Sequence, residues 1–113
     1  LGSSVAPEIV DQVRSRVEGR RVMVILDSDH SAPHVLAEMV AYAPLVQVSD
    51  YLIVEDTNIN GHPTYPEYGA GPMEAVEGFL AMTDDFHIDD RCERFLMTLN
   101  PRGYLRRVAG GTR

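Results

Sequence analysis

Apolar and polar positions along this chain change period several times, and each change marks an element. Ile9, Val10, Val13 and Val17 recur at helical spacing, Pro7 suits a first turn and Gly19 a stop, so a helix is expected over 7–18. Residues 21–26 end in the unbroken run Val22-Met23-Val24-Ile25-Leu26, which reads as a strand covered on both faces. Val35, Leu36, Met39, Val40 and Ala43 restore the helical stripe, with Ser31 as its cap, Pro33 in its first turn and Pro44 limiting its end. Residues 51–54 form a second buried strand. Strand, helix and strand at this spacing make a βαβ unit with parallel strands.

Residues 58–71 carry three proline or glycine clusters and predict a long loop, of the kind that serves as a lid or binding loop. Pro72 opens a third helix with Ala75, Val76, Phe79 and Leu80 inward. Residues 86–88 and 95–99 are weaker strand candidates, and Asn100-Pro101-Arg102-Gly103 reads as a turn before Tyr104-Leu105. No internal repeat occurs. The order so predicted starts with a helix that has no strand before it, and the chain opens Leu1-Gly2-Ser3-Ser4 without Met. Either a strand before residue 1 is missing or the domain is unusually small, and truncation is the expected case.

With 113 residues the chain is one domain or part of one, and 44% hydrophobic content suits a globular core. A net charge of −7 argues against nucleic acid and anionic membrane as partners. The one basic stretch, with Arg102, Arg106, Arg107 and Arg113, reads as a solvated tail. Cys92 is the sole cysteine, without zinc-type spacing, and points to a reducing compartment. No apolar run approaches the ~20 residues that span a bilayer, and no signal-peptide pattern is present, so a cytoplasmic location is expected.

Both strands end in acids. Val24-Ile25-Leu26 runs into Asp27, Asp29 and His30, and Ile53-Val54 runs into Glu55 and Asp56. Ligands of open α/β sheets bind beyond the carboxyl ends of the strands. Carboxylates pooled there raise one another's pKa, and a dication removes that penalty. Glu55 follows Asp27 by 28 positions and Asp29 by 26, and either spacing fits a crossover between neighbouring strand ends. Asp27, Asp29, Glu55 and Asp56 are thus candidate metal ligands. His30 is a candidate general base, and His62 and Tyr65, in the long loop, are candidates for substrate contact. His34 is expected on a helix surface.

The segments Val24-Ile25-Leu26-Asp27-Ser28-Asp29-His30-Ser31 and Tyr51-Leu52-Ile53-Val54-Glu55-Asp56-Thr57-Asn58-Ile59-Asn60-Gly61-His62-Pro63 resemble the cephalosporin hydroxylase / rhamnosyl O-methyltransferase family. So do Gly71-Pro72-Met73-Glu74-Ala75-Val76 and the segment from Phe95 to Leu105. The likeness covers nearly the whole chain. It implies an α/β, Rossmann-like three-layer fold of the class I, S-adenosylmethionine-dependent methyltransferases. The fold would be incomplete, with residues 1–113 the C-terminal part of a larger domain: a C-terminal half of helix, strand, helix, strand, helix and then a β-hairpin. It implies a Mg²⁺ site with Asp27 or Asp29 from the first strand and Glu55 and Asp56 from the second. Gly2, Ser3 and Ser4 match the segment that approaches the adenosine, and Asp27 adjoins it. The implied chemistry is methyl transfer to a hydroxyl of a small molecule such as a sugar or β-lactam, with His30 taking the proton. No glycine-rich strand-to-helix turn is found, so the isolated polypeptide is expected to bind the donor poorly and to be inactive.

Two other readings fit parts of the pattern. Asp27-Ser28-Asp29 after a buried strand is similar to the nucleophile motif of haloacid-dehalogenase-like, Mg-dependent phosphatases, but the lysine that family needs is missing, since all ten basic residues are Arg. A non-catalytic half-domain would expose a sheet edge and an apolar helix face, inviting association with other chains, including a homo-oligomer. An iron site of two His and one carboxylate finds only His30 clearly placed.

Overall fold

In the computed structural model, residues 2–110 are described; Leu1 and Arg113 lie outside them. The elements are α1 (Pro7–Val17), β1 (Val24–Leu26), α2 (Ala32–Tyr42), β2 (Tyr51–Val54), α3 (Pro72–Met82), β3 (Phe86–Ile88) and β4 (Tyr104–Arg107), with short 3₁₀ turns at Ala43–Leu45, Pro66–Tyr68 and Asp90–Glu93. Prolines open all three α-helices in the first turn, where a missing N–H costs nothing. The Glu74 carboxylate caps α3 by accepting from the Gly71 N–H at 2.8 Å.

The sheet has the order β1-β2-β4-β3. β1 and β2 are parallel, with Leu26 opposite Val54, while β4 runs antiparallel to both of its neighbours. β3 therefore runs in the same direction as β1 and β2. The expected hairpin is present as a pairing of β3 with β4, but residues 89–103 connect them. Gly103 enters beside β2 so closely that a Cβ there would stand 2.3 Å from the Val54 carbonyl oxygen.

One face of the sheet presents Leu26, Leu52, Val54 and Leu105 to the helices, where they pack with Met39, Val46, Val76 and Phe79. Val10 of α1 joins the same cluster. No described helix is long and apolar enough to cross a membrane.

Four sequence expectations need correction. β1 begins at Val24, and Ile25 is 51% exposed, so the apolar run is covered on one face only. Val40 is exposed beside the α2 stripe. Residues 95–99 are not a strand: Phe95, Leu96, Met97 and Leu99 stand in solvent, and Leu96 takes a left-handed backbone. The arginine-rich end is no solvated tail through residue 107. Arg107 is buried, with Nη1 donating to the carbonyls of Ala43 and Val46 at 2.9 Å and Nη2 to Asp85 at 3.1 Å. A buried guanidinium is tolerated when its fork is filled in this way.

Candidate metal centre

Parallel pairing of Leu26 with Val54 puts the residues that follow β1 and β2 side by side. The ladder continues one step further, as Glu55 N–H donates to the Leu26 carbonyl at 3.0 Å. At Asp56 the backbone turns left-handed, φ 54°. That turn is held by Asn100, whose Oδ1 accepts from Asp56 N–H at 2.8 Å, and by Thr57, whose hydroxyl donates to the Pro101 carbonyl at 2.6 Å. The segment before β4 thus braces the loop after β2.

His30 meets both acids. Its Nε2 lies 2.9 Å from Asp56 Oδ2 and 3.6 Å from Asp27 Oδ1. One ligand atom from each of Asp27, His30 and Asp56 falls within 4.8 Å of the other two. Ligand atoms about 2.1 Å from an octahedral ion stand roughly 3.0–4.2 Å apart, so these separations suit a small divalent cation. Two carboxylate oxygens and one imidazole nitrogen also form a donor set that Mg²⁺ or Mn²⁺ accepts.

Asp29 and Glu55 do not join this group. Asp29 Oδ1 accepts from the Ser31 N–H at 2.8 Å, and that hydrogen bond holds its carboxyl below the usual range. Asp29 thus supports the start of α2, while Ser31, at the cap position, makes no side-chain cap. Glu55 is half-buried beside Asp56, outside the three-residue cluster.

The segment before α1 is tied to α2. Ser4 Oγ donates to Glu38 Oε1 at 2.5 Å, and Tyr42 OH donates to the Ser4 carbonyl at 2.6 Å. Gly2 and Ser3 are exposed. Ser4, Asp27, Ser28 and Tyr42 line one cleft of about 490 Å³ with apolar neighbours from β1. This cleft touches the metal centre through Asp27. His34 is no free surface residue: its Nε2 lies 3.3 Å from Ser4 Oγ and 3.5 Å from Glu38 Oε1.

In the long loop, His62 Nε2 contacts Glu74 Oε1 at 2.7 Å and pins the loop to α3. Burial pushes the Glu74 carboxyl up, but hydrogen bonds from His62 and the Gly71 N–H outweigh it and leave the group below its ordinary value. Tyr65 is exposed and packs edge-on against Tyr68, ring centroids 5.6 Å apart.

Three residues acquire roles that sequence reasoning did not give them: His30 as a metal-cluster member, Asn100 as the brace of Asp56, and Glu38 as a buried acid. Two of them left a legible signal: His30 directly follows the acids at the end of the first strand, and Glu38 is an acid set between the inward positions Val35, Met39 and Tyr42 of one helix.

The sequence profile of the rhamnosyl O-methyltransferase/CmcI family matches residues 1–108. A rhamnosyl O-methyltransferase of Mycobacterium tuberculosis (strain ATCC 25618 / H37Rv) is 44% identical over 111 residues, covering 91% of this chain and 44% of that protein. One of Mycobacterium leprae (strain TN) is 44% identical over 107 residues, covering 90% of this chain and 46% of that protein. The chain thus spans less than half the length of these relatives. No solved structure matches it. Phosphatases do not figure among these matches, and the second acid of the phosphatase-like motif, Asp29, is engaged in the α2 turn. The chain belongs to the rhamnosyl O-methyltransferase/CmcI family.

Proposed function

We propose that the protein transfers a methyl group from S-adenosylmethionine to a hydroxyl of a rhamnosyl or similar sugar, with Mg²⁺ held by Asp27 and Asp56. The observation that carries the reading is the convergence of Asp27, His30 and Asp56 at the carboxyl ends of two parallel strands. The relatives' activity supports the reaction class, and the three-helix, four-strand α/β architecture is compatible with a Rossmann-like methyltransferase domain.

A divalent cation at this place neutralises the two carboxylates and makes a neighbouring hydroxyl more acidic. The chain's own groups do the rest. Asp56 Oδ2, 2.9 Å from His30 Nε2, orients the ring. His30 would take the acceptor's proton at Nδ1, the ring nitrogen not engaged with Asp56, and S-adenosylmethionine would supply the methyl group, its carbon–sulfur bond breaking as the new oxygen–carbon bond forms and leaving a neutral thioether. Ser4, Ser28 and the apolar wall of the adjoining cleft form this chain's share of the donor site. Tyr65 and His62, in the long loop, are assigned to contact with the acceptor. Proximity and alignment supply most of the rate.

The reading assigns cation binding to the 113-residue polypeptide by itself and expects it to bind the donor poorly and to lack turnover. Isothermal titration of that polypeptide tests the reading. Heat of Mg²⁺ or Mn²⁺ binding is expected in the wild type and lost in the double variant Asp27→Asn/Asp56→Asn. A wild type that binds neither ion overturns the metal-dependent reading.

A further inference from the structure

α2 packs Val35, Met39 and Tyr42 into the core, yet on the same side it buries a carboxylate: Glu38 is 2% exposed. Burying an ionised acid is expensive unless it is well partnered. One oxygen is heavily used. Glu38 Oε1 accepts from Ser4 Oγ at 2.5 Å and from Ser28 Oγ at 2.7 Å, with His34 Nε2 at 3.5 Å. The other, Oε2, is buried with no hydrogen-bond partner among the described residues.

The two hydroxyls come from different places. Ser4 precedes α1 and is also held by Tyr42, one helical turn along α2. Ser28 lies in the turn after β1, next to Asp27. Both Asp27 and Ser28 are exposed, so that turn gains little from packing. Besides the local Asp29–Ser31 bond, two bonds tie this turn to the body of the domain, His30 to Asp56 and Ser28 to Glu38, and the second is the one next to Asp27. An exposed turn tied to a buried acid spends stability on position, and the position it sets is that of the Asp27 carboxylate.

We propose that Glu38 is a positioning residue for the metal centre: through Ser28 it sets the turn that carries Asp27, and through Ser4 it couples that turn to the segment before α1. The inference rests on the metal-binding reading above for its purpose and on hydrogen bonds alone for the coupling. Residues around a metal site that orient its ligands typically change affinity by about 10–100-fold when removed.

The test uses the 113-residue chain with Ser28→Ala, which removes one tie and leaves Glu38 in place, and Glu38→Gln, which keeps the shape and an accepting oxygen. Mn²⁺ affinity by titration, amide exchange by mass spectrometry and the urea midpoint are measured on each. Ser28→Ala is expected to weaken Mn²⁺ binding on the order of tenfold and to speed exchange over residues 27–30 more than elsewhere, with a modest fall in the urea midpoint from the hydrogen bond lost to a buried carboxylate. Glu38→Gln is expected to retain part of the wild-type affinity and to speed exchange over residues 2–6 as well. Wild-type Mn²⁺ affinity and wild-type exchange in Ser28→Ala overturn the proposal. If the wild type binds no ion, the metal reading has failed by itself. Exchange over 27–30 then decides the coupling: faster in Ser28→Ala upholds it, unchanged overturns it.

Discussion

Asp27 and Asp56 end adjacent parallel strands and face the same imidazole, but the loops that carry them are held by different means. The turn at Asp56 is locked through backbone groups: its N–H to Asn100, the Asn58 N–H to the Leu99 carbonyl, and the Thr57 hydroxyl to Pro101. The turn at Asp27 is held by side chains of its own, Ser28 to Glu38, Asp29 to the Ser31 N–H and His30 to Asp56, and the Asp27 carboxylate is 63% exposed against 32% for Asp56. On the proposed reading, a braced acid that also contacts the histidine and a more exposed acid share one cation site. Ligand affinity should therefore depend unequally on the two.

The largest effect is expected at Asp56. Replacing it by Asn removes a charge and the orienting partner of His30, and Mn²⁺ affinity should fall on the order of 100-fold or more. Asp27→Asn should cost less, about tenfold, because solvent screens an exposed charge. Titrations of both variants check this, and equal losses would erase the distinction drawn between the loops.

Next comes the brace itself. Gly103→Ala would force a methyl group toward the Val54 carbonyl, and urea unfolding should show destabilisation of about 1–3 kcal/mol. Asn100→Ala leaves the part-buried Asp56 N–H without its acceptor, at about 1 kcal/mol, and should loosen exchange over 55–58 more than over 27–30. A loss in Asn100→Ala spread evenly over both loops would contradict the separation.

A smaller effect is expected from acid. The Arg91 side chain, then the Tyr51 hydroxyl, hold the Asp89 carboxyl far below the usual carboxylate range, at the start of the segment that braces Asp56. A depressed folded-state pKa contributes stability that is complete above the unfolded value and is lost as pH falls toward the folded one. Glu74 acts in the same direction. The urea midpoint should be flat from pH 7 to about 5 and fall below about 4, and Asp89→Asn should flatten that fall. The smallest effect is assigned to Tyr65→Ala, which should leave Mn²⁺ affinity unchanged, since the exposed ring touches Tyr68 and no ligand.

The sequence was most legible where a stripe or a run has one physical cause. Helices at 7–17 and 72–82 and the parallel strands ending at Leu26 and Val54 follow from apolar spacing and proline placement. Pooling of acids at one sheet end was legible for the same reason, since parallel strands must finish together. Which acids converge was not, because that depends on turn geometry: the Asp29 side chain folds back on Ser31, whereas Asp27 and Asp56 reach His30. Residues 95–99 have a strand's composition and no strand, because the ladder position beside β2 is taken by Tyr104–Arg107. Arg107 looked like surface charge because its partners are backbone carbonyls, which composition does not reveal.

The most direct test of the shared cation site uses the four histidines as reporters. Imidazole resonances of the labelled 113-residue chain are followed as paramagnetic Mn²⁺ is added in substoichiometric steps. The expected result is broadening of His30 at the first additions, with His62 and His87 still sharp, and its reversal by excess Mg²⁺. His30 left sharp while another histidine broadens, or broadening that Mg²⁺ does not reverse, would contradict a divalent ion held between Asp27 and Asp56.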